Sequence, residues 1–203
     1  MKHLLLDFGG VVLKTPFELR DDASKTLGPL PWAGPFDPST DPEWVRWQSG
    51  EITEREYWHN RAAVYGLTTR KFMDHFFEPP AERLLHMEMW DLIRERHAAG
   101  GVVGCLTNDM QAFQNASWID AMTVISEFDF IVDGSITGFL KPHPKTYMLA
   151  LDALGDPEPA HVVFVDDQWI NLDGATEAGI TTVFFDPTDI SGSMKRVRAA
   201  LMA

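Results

Sequence analysis

Five short apolar segments alternate with helical segments along this chain of 203 residues, and this alternation limits the fold more than any other feature. The apolar segments contain leucine and β-branched residues without a regular polar alternation, which is typical of parallel strands covered on both faces. Helical patterns lie between them at residues 85–96, 145–154 and 170–178, and each is followed by glycine. We therefore predict an α/β fold with a doubly wound parallel sheet. The predicted strands are His3–Leu6, Val102–Leu106, Phe130–Val132, Val162–Val165 and Thr182–Phe185.

One region interrupts this alternation, because residues 15–80 contain no convincing strand. Residues 26–42 are rich in proline and glycine, and we expect an ordered loop between helices there. Thr53 and Glu56 have the spacing of a capping box, which predicts the start of a helix that ends near Gly66. We therefore predict a core domain of residues 1–14 and 81–203, with a helical domain of residues 15–80 inserted after the first strand.

Charge and cysteine content exclude several classes of protein. The formal charge of −13 argues against a nucleic-acid partner or an anionic membrane partner, because both require clustered Lys and Arg. The single cysteine, Cys105, cannot form an internal disulfide and lies in an apolar run, where we expect a buried thiol. The first residues do not resemble a signal peptide, and no apolar stretch reaches the length of a membrane span. We expect a cytoplasmic protein, and its oligomeric state stays open.

Polar residues follow three of the predicted strands directly at their carboxyl ends. Asp7 follows the first strand, Thr107 and Asn108 follow the second, and Asp166 and Asp167 follow the fourth. Taken singly, most of these side chains would be read as turn or helix caps. In doubly wound sheets, however, the carboxyl ends of the strands form the ligand site, so these groups are expected to converge.

A lysine completes the set. Lys141 lies in the segment GFLKPHP after the third predicted strand, and by itself it would be read as a surface residue. Several carboxylates near a glycine turn suit Mg²⁺, which prefers oxygen ligands. A cation, an ammonium and a hydroxyl together can surround a phosphate dianion and leave one carboxylate to attack phosphorus. The predicted reaction is phosphoryl transfer through an aspartyl-phosphate.

Four segments carry a resemblance to a known family. LLLDFGGVV, CLTND, LKPHPKTY and FVDDQWIN resemble, in this order, the four motifs of the haloacid dehalogenase-like hydrolases. The resemblance implies a Rossmann-like core with a cap inserted where residues 15–80 lie. The segment GEIT and its following helix resemble the helical cap of sugar-phosphate phosphatases, which points to a small phosphate monoester as substrate.

The resemblance also implies a metal site for Mg²⁺. Asp7 would be both the nucleophile and a metal ligand, and Gly9 would offer its backbone carbonyl. Asp167 would bind the metal directly, with Asp166 in direct or water-mediated contact.

The remaining matched residues would bind the substrate. Thr107 would hydrogen-bond the phosphoryl oxygens, and Asn108 would do so through its backbone N–H and its side chain. Lys141 would neutralise the charge of the nucleophile and of the phosphate, which makes it both a catalytic and a substrate-binding residue.

Gly9 departs from the family pattern. Most phosphatases of this family have a second aspartate there, which protonates the leaving oxygen and is worth about 10²–10⁴ in rate. Three explanations stay open. The substrate has a leaving group that needs little protonation, such as an anomeric sugar phosphate or an acyl phosphate. The acid comes from the cap or from the substrate. Or the chain is a weak or inactive catalyst.

Three other functions share part of this pattern. A 2-haloacid dehalogenase would use Asp7 without metal, but such enzymes have neutral residues where Asp166 and Asp167 stand. A phosphonate hydrolase would need a lysine from the insertion, and Lys25 and Lys71 are the candidates there. A regulator that binds phosphate or metal without turnover would be expected to lose the nucleophile or the acidic pair.

The insertion contains four of the seven tryptophans: Trp32, Trp44, Trp47 and Trp58. We expect them to form the core of a small helical domain. The alternative is that one or two of them contact the substrate.

Overall fold

The core of the molecule is a five-stranded parallel sheet. The computed structural model describes residues 2–78 and 81–203. The strand order is β3-β2-β1-β4-β5, and every neighbouring pair is parallel. This confirms the predicted fold class, and each predicted strand lies within one residue of an observed strand. The strands are β1 (His3–Leu6), β2 (Val103–Thr107), β3 (Phe130–Asp133), β4 (Val162–Asp166) and β5 (Thr181–Phe184).

Helices alternate with these strands. Because helices cover both faces of the sheet, the central strands are buried along almost their whole length, which explains their continuous apolar runs. Cys105 lies in β2 and is fully buried, and burial raises the pKa of its thiol. In chain order the α-helices of the described residues are α1 (Arg20–Leu27), α2 (Pro42–Gln48), α3 (Glu54–Val64), α4 (Thr69–Asp74), α5 (Ala81–Leu84), α6 (Met87–Ala98), α7 (Met110–Phe113), α8 (Ala116–Ala121), α9 (Gly134–Thr137), α10 (Pro144–Ala153), α11 (Trp169–Glu177) and α12 (Ile190–Met202).

The chain divides into two compact units. The first, here called the core unit, comprises Met1–Lys14 and Leu85–Ala203, and the second, here called the inserted unit, comprises Thr15–Leu84. The sequence placed the second boundary after residue 80, which lies outside the described residues. Within the described part of the inserted unit there are helices and no strand.

Local signals explain the helices of the inserted unit. The capping box of Thr53 and Glu56 is present, and α3 begins directly after Thr53. The segment expected to be an ordered loop contains two short 3₁₀ helices, Gly34–Phe36 and Pro38–Thr40, because a proline occupies the first turn of each.

Aromatic side chains fill the interior of the inserted unit. Trp32 and Trp58 are buried, and their ring centroids lie 6.1 Å apart. Trp44 and Trp47 are only partly buried, although the ring of Trp47 lies 5.2 Å from that of Tyr57. Two of the four tryptophans therefore belong to the core of this unit, and two lie at its edge.

No helix among the described residues is long and apolar enough to cross a bilayer.

Candidate active site

Asp7 stands where β1 ends. Its backbone N–H donates to the Val165 carbonyl (2.9 Å), so the first residue after β1 is still tied to β4. The Asp7 side chain is nearly buried, and its Oδ1 accepts from the Phe8 N–H (2.7 Å). The same oxygen lies 3.0 Å from the Nζ of Lys141. Asp7 is therefore a charged group that is held in one orientation.

Lys141 is not a surface residue, since its side chain is only 1% exposed. Its Nζ lies 2.7 Å from Oδ2 of Asp166 and 3.0 Å from Oδ1 of Asp7, so it bridges two carboxylates. Burial alone would lower the pKa of Lys141, but the Asp166 and Asp7 carboxylates raise it above its ordinary value. The side chain is therefore an ammonium at neutral pH, with a fixed place beside Asp7.

Asn108 holds the backbone that carries this lysine. Its Oδ1 accepts from the Lys141 N–H (2.6 Å), and its Nδ2 donates to the Lys141 carbonyl (3.2 Å). The sequence assigned the Asn108 backbone N–H to the phosphate, with the side chain as a further donor. The side chain is bound to the lysine backbone here, and the role of the backbone N–H stays a prediction. Helix α7 begins only at Met110, and its cap residue Asp109 makes no side-chain capping bond, so Thr107 and Asn108 are not its cap.

Thr107 is the last residue of β2 and is almost completely buried. It pairs in register with Asp133 of β3. The carboxylate of Asp133 is occupied by local contacts, because it accepts from Ser135 and from the Gln111 N–H. A carboxylate at the end of β3 thus has a structural role, whereas Thr107 ends the strand that lies next to β1.

Asp166 and Asp167 follow one another at the end of β4, but their surroundings differ. Asp166 is fully buried and accepts hydrogen bonds from Lys141, the Gln168 N–H and the Nδ2 of Asn171. Asp167 is partly exposed. One oxygen from each of Asp7, Asp166 and Asp167 can be chosen so that all three lie within 4.8 Å of one another.

The two adjacent glycines in the turn after β1, Gly9 and Gly10, differ in whether the structure has room for a side chain. Gly10 has a φ of +77°, and a Cβ there would overlap the Asp167 carboxylate, so only glycine lets the carboxylate come this close. A Cβ at Gly9 would meet no atom within 4 Å. The backbone therefore requires a glycine at position 10 and tolerates a side chain at position 9.

The donor set fits the predicted metal. Three carboxylates within reach of one another are hard oxygen ligands, which Mg²⁺ prefers, and they outnumber the ammonium that bridges two of them. Asp7, Asp167 and the Gly9 carbonyl are the predicted ligands. Asp166, whose two oxygens already accept bonds from Lys141 and Asn171, suits water-mediated contact better.

Two further residues at this site, Gly10 and Asn171, were not predicted from the sequence. Gly10 follows Gly9, and the need for glycine there depends on the Asp167 carboxylate, which is far away in the sequence. Asn171 was part of the quoted segment FVDDQWIN, four residues after Asp167. That spacing puts it in the first turn of α11, which was the available signal.

A family model for haloacid dehalogenase-like hydrolases matches residues 1–179. The chain belongs to this family. The chain is 26% identical over 148 residues to mouse acyl-CoA dehydrogenase family member 10. The aligned residues are 70% of this chain and 14% of that protein. It is 25% identical over 150 residues to the pyrimidine 5'-nucleotidase YjjG of Escherichia coli K12, which covers 71% of this chain and 66% of that one. The chain thus spans about one seventh of the first relative and just under two thirds of the second.

Solved structures share the fold. The putative hydrolase YfnB from Bacillus subtilis, bound to magnesium, superposes with a TM-score of 0.68 at 19% identity and covers 91% of this chain and 86% of that one. The L-2-haloacid dehalogenase RSc1362 superposes with a TM-score of 0.64 at 19% identity, with 92% and 86% covered. At this identity the likeness concerns the fold alone.

Proposed function

We propose that this protein is a magnesium-dependent phosphatase that hydrolyses a small phosphate monoester through an aspartyl-phosphate on Asp7. The observation that carries the proposal is the grouping at the end of the sheet. A buried ammonium bridges Asp7 and Asp166, and three carboxylates lie within 4.8 Å of one another. Three carboxylates around one ammonium are costly to bring together unless a metal ion adds positive charge, and a dehalogenase needs no metal ion.

Each residue has a task in the first step. An oxygen of Asp7 attacks phosphorus, the P–O ester bond breaks, and its electron pair leaves with the leaving-group oxygen. The Lys141 ammonium, the Thr107 hydroxyl and the Asn108 backbone N–H bind the phosphoryl oxygens. Bound Mg²⁺, held by Asp7, Asp167 and the Gly9 carbonyl, would supply positive charge that offsets the carboxylates and the phosphate.

The second step returns the enzyme to its starting state. Water attacks the aspartyl-phosphate, inorganic phosphate leaves, and the Asp7 carboxylate is regenerated with release of one proton. Lys141 keeps Asp7 in place through both steps, because its contact with Asp166 does not depend on the substrate.

Gly9 bears on the substrate class, because glycine supplies no acid to protonate the leaving group. Since a side chain would fit there, the absence of an acid is not imposed by the backbone. We expect phosphates with good leaving groups, such as anomeric sugar phosphates or acyl phosphates. The relative YjjG is by name a pyrimidine 5'-nucleotidase, which supports a phosphate substrate. We further propose that the inserted unit is the helical cap of this family and that the partner of the protein is a small phosphorylated molecule.

One screen tests these proposals. Sugar phosphates, acyl phosphates, nucleoside monophosphates and 2-haloacids are assayed with and without Mg²⁺. We expect turnover of phosphates only, and only with metal. Release of halide from 2-haloacids in the presence of chelator would establish the dehalogenase instead, and binding of phosphate without any turnover would establish the regulator.

The leaving group is tested with a series of aryl phosphates. We expect the rate to fall steeply as the leaving group becomes more basic, because no acid at position 9 protonates it. A flat dependence would show that another group supplies the proton.

A further inference from the structure

Asp166 is the buried centre of a hydrogen-bond network that extends beyond the groups that would touch substrate. Its Oδ2 lies 2.7 Å from the Nζ of Lys141, and its Oδ1 accepts from the Gln168 N–H (2.8 Å). A further donor that reaches both oxygens adds to the restraint on rotation about the last side-chain bond. The orientation of Asp166 matters because it decides where the lysine ammonium stands.

Asn171 supplies this restraint. It lies in the first turn of α11, is almost completely buried, and its Nδ2 reaches both oxygens of Asp166, at 3.1 and 3.2 Å. An amide donates these bonds without adding charge. A carboxylate at the same place would add a negative charge next to Asp166 and would lose the donor.

Asn171 is itself tied to the segment that carries the lysine. The hydroxyl of Tyr147, in α10, donates to the backbone carbonyl oxygen of Asn171 (2.7 Å). One turn further along α11, a Cβ at Gly174 would lie 2.9 Å from both the Pro142 Cβ and the Tyr147 hydroxyl oxygen. Helix α11 therefore lies directly against the residue that follows Lys141, and glycine makes this approach possible.

We propose that Asn171 is a positioning residue, which fixes the Asp166 carboxylate so that Lys141 stands over Asp7, with the Tyr147 hydroxyl holding Asn171 in turn. The inference rests on the proposed function for its kinetic readout. It assigns Asn171 no contact with substrate or metal. Its effect on the reaction passes through Asp166 and Lys141.

The main test is Asn171→Asp, which keeps the size of the side chain and removes the donor. We expect kcat for an aryl phosphate at saturating Mg²⁺ to fall about 100-fold, because displacement of a catalytic group by about 1 Å has an effect of this size. KM should change less than about threefold, since Asn171 does not touch the substrate. Tyr147→Phe removes one hydrogen bond at a further remove, and we expect a fall in kcat of about threefold.

The matched control is Thr176→Val. Thr176 lies on the same helix and loses a comparable bond, since its hydroxyl donates to the Leu172 carbonyl (2.9 Å). Its kcat should equal that of the unaltered protein. If Asn171→Asp does not fold, Asn171→Ser gives the same test without the added charge.

A second readout does not depend on turnover. Crystal structures of the unaltered protein and of Asn171→Asp or Asn171→Ser are compared for the separation of Lys141 Nζ from Asp7 Oδ1, which is 3.0 Å here. We expect it to exceed 3.5 Å in the variants by the usual hydrogen-bond criterion. An unchanged separation, or a kcat within about twofold of the unaltered protein, would overturn the inference. If the unaltered protein hydrolyses no phosphate, the proposed function fails, and the crystallographic comparison still decides the role of Asn171.

Discussion

The core unit and the inserted unit each contain a buried cluster of acidic and basic side chains, and the two clusters differ in their balance of charge. In the inserted unit, Asp41 is fully buried and forms a short ion pair with Arg61. It also accepts hydrogen bonds from the Tyr57 hydroxyl (2.6 Å) and the Trp44 N–H (3.0 Å). In this cluster the one buried carboxylate is matched by one guanidinium and is surrounded by donors, and the second carboxylate near Arg61, that of Glu43 at 3.8 Å, is partly exposed to solvent.

The cluster in the core unit lacks this balance. The Lys141 ammonium bridges Asp7 and Asp166, and Asp167 brings a third carboxylate to the same place. A matched pair stabilises the fold once it is formed, whereas an excess of one charge is usually retained because a ligand offsets it. The surplus of charge, and not burial alone, is therefore our reason for proposing the functional site in the core unit.

The strongest test of this contrast is Asp7→Asn. We expect phosphatase turnover to fall by at least about 10³-fold, because the nucleophile is lost. The thermal midpoint should stay the same or rise, because the substitution removes one of three crowded carboxylates. Steady-state kinetics and calorimetry on one preparation measure both. Retained turnover would exclude Asp7 as the nucleophile, and a large loss of stability would contradict the assignment of this cluster to function.

Magnesium should stabilise the unaltered protein. At a concentration of 100 times Kd, a ligand that binds only the folded state adds about 2.7 kcal/mol to the free energy of unfolding. We expect Asp167→Asn to abolish this Mg²⁺-dependent shift of the thermal midpoint and to lower activity about 100-fold. Asp133→Asn is the control, since Asp133 binds backbone and side-chain donors in the core unit, and its shift should persist. A shift of equal size in Asp167→Asn would place the metal elsewhere.

The matched cluster should respond in the opposite sense. Asp41→Asn leaves the largely buried Arg61 guanidinium with only the longer contact to Glu43, and we expect a loss of about 3 kcal/mol in stability. Tyr57→Phe removes one donor to Asp41 and should cost about 1 kcal/mol. Denaturant titrations followed by tryptophan fluorescence give both values, because this unit holds four of the seven tryptophans. If Asp41→Asn proved neutral, the two clusters would not differ as described.

The smallest single effect is expected in the glycine turn, at Gly9. Gly9→Ala should change stability by less than about 0.5 kcal/mol, because its Cβ meets open space. Gly10→Ala should cost about 1–3 kcal/mol, because alanine is strained at a φ of +77° and its Cβ would displace Asp167. It should also weaken the response to Mg²⁺. Equal effects of the two substitutions on thermal unfolding would remove the distinction between these glycines.

Much of the fold could be predicted because the signals for it are local. The apolar runs identify the five strands to within one residue, and Thr53 with Glu56 identifies the start of α3. The candidate site could also be anticipated, since the ends of parallel strands meet at one edge of a sheet. What sequence reasoning did not predict was the contacts of individual side chains, such as the two hydrogen bonds between the Asn108 amide and the Lys141 backbone.

The sequence by itself determined the alternation of strands and helices and the residues that stand at the strand ends, because periodicity and chain order set both. Only the tertiary structure decided which of these residues touch. It showed that Lys141 is buried between two carboxylates and that Asn171 donates hydrogen bonds to one of them. It also separated Gly10, which Asp167 requires, from Gly9, which has room for a side chain. The approach of Asp167 to Gly10 joins residues 157 positions apart in the sequence. The side-chain directions that create such contacts depend on how the helices pack on the sheet.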